Sequence, residues 1–121
     1  GIASDVALSG NYAYVADFDA GLRVVDISDP ANPVEVSSIF SPDYAIGVFV
    51  SGEYAYVANS GNFRVYNIAN PHNPFAVGFY DTPGAAMEVT ISGGRAYVAV
   101  YDAGLVVLKF ITRTNLPLIM R

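Results

Sequence analysis

The sequence has no cysteine. Disulfides, thiolate metal sites and a cysteine nucleophile are therefore excluded. It has one histidine, His72, which rules out a zinc site built on His and Cys ligands. His72 lies in a "NPHNP" turn with no G-x-S-x-G motif near it, so it reads as a solvated turn residue rather than a catalytic base. Basic residues are also scarce. Six Lys and Arg stand against 11 Asp and Glu, a net charge of −5. Residues 1–110 hold four basic residues and all 11 acidic ones, a balance of −7. Nucleic acid and anionic membrane surfaces both require basic patches, so neither is an expected partner. No apolar run approaches the roughly 20 residues of a membrane span, and no membrane insertion is expected. Only 14% of residues are charged and 53% are hydrophobic, which excludes disorder and predicts a well-buried chain. The sequence opens at Gly1 without Met or a signal-like segment. The expectation is a processed chain or the tail of a longer polypeptide.

What is present is repetition. "SGNYAYVADFDAGLRVVDISDPANP" from Ser9 returns as "SGEYAYVANSGNFRVYNIANPHNP" from Ser51 and as "SGGRAYVAVYDAGLVVLKF" from Ser92. Ser9, Ser51 and Ser92 correspond, as do Ala13, Ala55 and Ala96, giving a period of 42 and then 41 residues. The links correspond too: "SPDYA" (Ser41 to Ala45) matches "TPGAA" (Thr82 to Ala86). Periods of this size mark stacked or circular arrays.

Within a unit, Val6 to Leu8 is a short apolar run and "SGN" a tight turn. "YAYVA" is apolar throughout, as a strand buried on both faces should be. "DFDAG" is a polar loop, "LRVVDI" a β-branched strand interrupted by Arg23, and "SDPANP" a turn whose prolines block a helix. "VEVSSIF" alternates as a half-exposed outer strand does. Four strands in about 42 residues is the pattern of a β-propeller blade. The expected fold is therefore all-β, a partial β-propeller of about three four-stranded antiparallel blades. The blades span about 3–44, 45–85 and 86–110.

The repeated "YAYVAD…GLRVVDISDPANPVEV" pattern, from Ala3 to Phe110, resembles the bacterial LVIVD-repeat family. The second unit departs with "FRVYN" and the third with "LVVLK", and the third lacks the Pro-Asn-Pro turn. The resemblance implies β-propeller blades in a secreted or cell-surface bacterial protein. It carries over no catalytic pair.

Residues 111–121 do not repeat; they read as a tail that supplies the last strand or packs on the final blade. Eleven strands are clear in the sequence, short of three full blades, and propellers close with four to eight. Two readings stay open. Either the chain is the C-terminal portion of a longer propeller, the favoured one, or copies associate into a ring. The expected partners are thus further blades or another copy, with a carbohydrate or protein ligand besides.

Blade topology puts the loops after each second strand on the same face as the links between units. This upper face receives Asp17, Asp19, Asp43, Tyr44 and Asp102, and Asp5 and Glu88 open innermost strands near the same mouth. These seven residues are the candidate ligand-binding set. Asp17-x-Asp19-x-Gly21 has the spacing with which a Ca²⁺ loop begins, but no Glu follows at the required distance and the second unit reads "NSGN" there. Turn capping by the carboxylates is the preferred reading, so no cofactor and no metal ligand is assigned. No catalytic residue is assigned either. Repetition without a unique polar constellation favours a non-enzymatic binding or scaffold module. The alternative is a catalytic propeller, a hydrolase or lyase using upper-face carboxylates.

Overall fold

Turns rich in Gly, Pro and Asn punctuate β-branched and aromatic runs of five to seven residues, which leaves strands as the natural local structure. The computed structural model describes residues 2–41, 43–113 and 116–120, with residues 111–113 and 116–120 described by their backbone. Part of the 111–121 tail, at 114–115 and 121, thus lies outside the described residues. Among those described there is no helix. Twelve strands form three four-stranded antiparallel sheets. The first sheet comprises β1 (Asp5–Ser9), β2 (Tyr12–Asp17), β3 (Gly21–Asp26) and β4 (Val34–Ile39). The second comprises β5 (Ala45–Ser51), β6 (Tyr54–Asn59), β7 (Asn62–Asn67) and β8 (Phe75–Asp81). The third comprises β9 (Ala86–Ser92), β10 (Arg95–Val100), β11 (Gly104–Arg113) and β12 (Leu116–Met120). Each sheet is a meander in which every strand pairs with its neighbours in sequence.

The third sheet supplies the twelfth strand, one more than the eleven clear in the sequence. β11 runs on past residue 110 to Arg113, and β12 returns along it with Lys109 opposite Met120 and Thr112 opposite Pro117. This is the first of the two readings of the tail, a last strand, which Pro117 and the absence of repetition leave undecided in the sequence.

The period-42 alignment is reproduced by the strand registers. Asp5 pairs with Ala16, Gly47 with Ala58, and Glu88 with Ala99, one pair per sheet. The proline turns repeat as well. Asp29 Oδ1 accepts from the Ala31 N–H at 3.1 Å, and Asn70 Oδ1 from the His72 N–H at 3.0 Å. Such Asx turns reverse the chain without help from a partner element.

The innermost strands β1, β5 and β9 lie side by side and the sheets stack face to face in chain order. Between the first and second sheets Tyr14, Ala16, Leu22 and Val24 meet Val48, Ala55, Val57, Tyr66 and Ile68. Between the second and third, Tyr56, Ala58, Phe63 and Val65 meet Val89, Ala96, Val98, Val106 and Leu108. The middle sheet is therefore covered on both faces. Its β6 is buried from Ala55 to Asn59, whereas the outer strands β4 and β8 are mostly half-exposed or exposed. The stack is open, not a closed ring: the first sheet keeps one bare face and the third sheet the other.

Candidate functional site

Backbone hydrogen bonds gather the second-strand loops and the inter-sheet links on one rim. The Ala45 N–H donates to Phe18 O (2.8 Å), Ser60 to Tyr44 O (2.9 Å), Thr82 to Gly61 O (3.2 Å) and Tyr101 to Ala85 O (2.8 Å). The turn itself repeats in the first and third units: the Ala20 N–H donates to Asp17 O and the Ala103 N–H to Val100 O. Gly21 and Gly104 follow these turns at φ +83° and +80°, backbone that favours glycine. At Gly21 a Cβ would also run into the Ile39 carbonyl oxygen.

Four of the seven candidate residues lie on this rim, in different settings. Asp43 accepts from Asn62 Nδ2 at 2.5 Å and stands 3.9 Å from the Arg64 guanidinium. Asn62 Oδ1 accepts from Asn59 Nδ2 at 2.9 Å and from Arg64 Nε at 3.2 Å. Arg64 also lies over the Phe79 ring, 5.4 Å from its centroid. Link and second-sheet hairpin are thereby tied by one charged network, with Asn59 buried and its Oδ1 unpaired among the described residues. Burial pushes the nearby Tyr66 hydroxyl above its ordinary range, and Arg64 acts in the opposite direction. Tyr44 is 48% exposed and stacks on Phe18, ring centroids 4.5 Å apart at 13°. Asp19 and Asp102 are exposed at the loop tips, Asp102 at φ +64°.

Asp17 is buried and turns onto the bare face of the first sheet. Its Oδ2 sits 2.5 Å from Arg23 Nε, and Arg23 Nη1 reaches Glu35 Oε1 at 2.5 Å. Asp5 lies between two sheets: Oδ1 accepts from its neighbour Val6 N–H (2.9 Å) and Oδ2 from Val48 N–H (3.0 Å). It joins the innermost strands of the first and second sheets. Glu88 holds the same register in the third sheet but is exposed, with no sheet among the described residues packed against it. The seven residues are therefore distributed over three environments: rim, inter-sheet seam and bare face. Among the described residues no three or more His, Asp or Glu side chains converge on a metal-sized point. His72 is exposed on the opposite rim, edge-on to Tyr12 with centroids 6.4 Å apart.

Arg64, Asn59, Asn62 and Phe18 belong to the rim and escape the sequence reading. Signals for them exist. Arg64 keeps register with Arg23 inside an otherwise apolar strand, and Asn59 ends a "YAYVA" run where the third unit has Val100.

No curated protein matches the chain. Among solved structures, the computationally designed Ika4 protein resembles it with a TM-score of 0.64 at 13% identity, over 84% of this chain and 62% of that one. The computationally designed Ika8 protein resembles it with a TM-score of 0.66 at 13% identity, over 86% of this chain and 32% of that one. The chain thus spans less than two thirds of either, and the likeness is one of fold. The sequence model of the LVIVD repeat matches residues 1–40, 42–82 and 83–108, the same three units that build the three sheets. By that match, in three consecutive repeats over nearly its whole length, the chain belongs to the LVIVD repeat family.

Proposed function

We propose that the chain is a non-enzymatic binding or scaffold module whose three sheets are blades of a β-propeller. The observation that carries this reading is a constant frame with changing rim residues. Core positions repeat from sheet to sheet, as with Ala13, Ala55 and Ala96, while the rim reads Asp17-Phe18-Asp19, Asn59-Ser60-Gly61 and Val100-Tyr101-Asp102. Repeat folds use such variable loops on a fixed frame for recognition. The engagement of the carboxylates supports the same reading, since Asp5, Asp17 and Asp43 are held in bonds that join strands, sheets or links. The acidic rim with the Phe18–Tyr44 pair suits a hydroxyl-rich or cationic ligand, an oligosaccharide or a basic protein segment. The reading calls for no cofactor. The family supports the setting we infer, a secreted or cell-surface bacterial protein.

The test is a panel of neutral oligosaccharides and basic peptides titrated into labelled chain by NMR. Amide shifts confined to residues 17–19, 43–44, 59–62 and 101–102, with the ligand recovered intact, are expected. Turnover of a glycoside, lost on Asp43→Asn or Asp102→Asn, would replace this reading with the catalytic one.

A further inference from the structure

The bare face of the third sheet contains a cavity of about 370 Å³ lined by Met87, Ala99, Val100, Tyr101, Gly104 and Leu105. The repeat shows what belongs there. The corresponding places on the first and second sheets are filled by Ala45 and Ala86, the first residues of the following sheets, 1% and 0% exposed. The frame around the cavity follows the same rule. Leu105 is 62% exposed, while its equivalents Leu22 and Phe63 are 1% and 0%. Ala99 is exposed, while Ala16 and Ala58 are both 0%. This face is thus one half of an interface the molecule makes twice internally.

The other half is present at the opposite end of the molecule. Ala3 holds the register of Ala45 and Ala86 and is exposed, preceded by Ile2 at 69%. Val6, the equivalent of Val48 (7%) and Val89 (3%), is 54% exposed. We infer that the two bare faces bind each other between copies, head to tail, and that two copies close into a ring of six sheets. The inference rests on the propeller reading, since only two copies of three sheets fall within the four to eight that rings of this kind contain. Ile2 and Ala3 of one copy seat in the cavity of the other, Ile2 against Tyr101 as Tyr44 lies on Phe18. Glu88 comes to lie against β1 of the partner copy, as Asp5 lies against β5. Because the interface joins two different faces, it recurs twice in the closed pair.

Light scattering after size exclusion tests this on the full chain. The expected mass is about twice 12.8 kDa, held on dilution. Ala99→Arg and Ala3→Asp each place a charge on one face and should weaken association roughly 100-fold or more, while circular dichroism keeps the strand signal. Tyr101→Arg serves if Ala99→Arg does not fold. Mixing an Ala99→Arg chain with an Ala3→Asp chain should recover a two-chain species, since one of its two interfaces joins the two unaltered faces while the other carries both substitutions. A persistent 12.8 kDa wild-type monomer overturns the inference, whether the faces stay bare or accept only further repeats in the same polypeptide. So does association that survives either single variant, which would mean like faces meet. Open, concentration-dependent assemblies overturn the two-copy ring while leaving the stacked-repeat module standing; helical circular dichroism would overturn that module itself.

Discussion

Gly21 and Gly104 occupy equivalent loop ends with nearly equal positive φ, yet their surroundings differ. A Cβ at Gly104 meets nothing within 4 Å, whereas at Gly21 it meets the Ile39 carbonyl. Gly104→Val should therefore cost about 1–2 kcal/mol of backbone strain, and Gly21→Val clearly more, both read from denaturant midpoints. Glu53→Ala, at an exposed turn position, should stay within about 0.5 kcal/mol. A second residue effect depends on pH. The Asn32 side-chain amide, with the Ala31 N–H, holds the Asp29 carboxyl below its ordinary range. A depressed folded pKa means stability that is present above the unfolded value, near 3.9, and lost as pH falls through the folded one. The melting temperature of Asp29→Ala should accordingly lie below wild type at pH 6, with the gap narrowing as pH drops below about 4. Both effects rest on local motifs, and the motifs are legible: "DAG" twice, "DPAN" once. Asp5 is the contrary case. It reads as a residue at the mouth of the array, but its carboxylate joins β1 to β5. The stagger between two sheets decides that, and spacing along one chain does not encode it. The Asp43–Asn62–Arg64 network is hidden for the same reason, since its members lie 19 and 2 residues apart on a link and a hairpin.

At the scale of the element, one sheet offers a direct comparison between faces. Phe63 on β7 is fully buried and lies parallel to Tyr56, centroids 6.2 Å apart. Phe79 on the adjoining β8 is 58% exposed and touched by Arg64. Phe63→Ala should cost about 3–5 kcal/mol through a cavity between two sheets. Phe79→Ala should cost less than about 1 kcal/mol, the worth of an exposed cation–π contact. Equal losses would mean that β8 is not an outer strand. The strands themselves were readable because each unit states them again: the all-apolar second strand and the alternating fourth predict inner and outer positions. β12 was readable only as one of two options for the tail, because Leu116–Met120 matches no other unit, and its pairing with β11 decides between them.

On the whole-molecule scale the three sheets are unequal despite their shared pattern. The middle sheet is packed on both faces, and each flanking sheet on one. Amide hydrogen exchange should be slowest in β6 and β7 and faster in β4 and β8. In a head-to-tail pair the protection of β2 and β10 should rise toward that of β6, and it should fall again in Ala99→Arg. Uniform protection across the three sheets in that monomeric variant would contradict the open stack.

The strictly sequential meander also bears on how the chain acquires its structure. No sheet borrows a strand from another unit. Every ladder is therefore closed by loop closure over a few residues, without the long searches that slow most β proteins. During synthesis the first sheet can form while the third is still being made, and it then presents Tyr14, Leu22 and Val24 to water until β5 and β6 arrive. Its opposite face, which emerges at the same time, carries Arg23 between Asp17 and Glu35. Charge in the middle of a nascent sheet is a known deterrent to misdirected edge and face pairing. Arg23 thus guards the chain at the stage when it has no neighbours, and Arg23→Leu, which also leaves the buried Asp17 carboxylate without its cation, should raise the yield of aggregate on rapid refolding and lower the melting temperature as well.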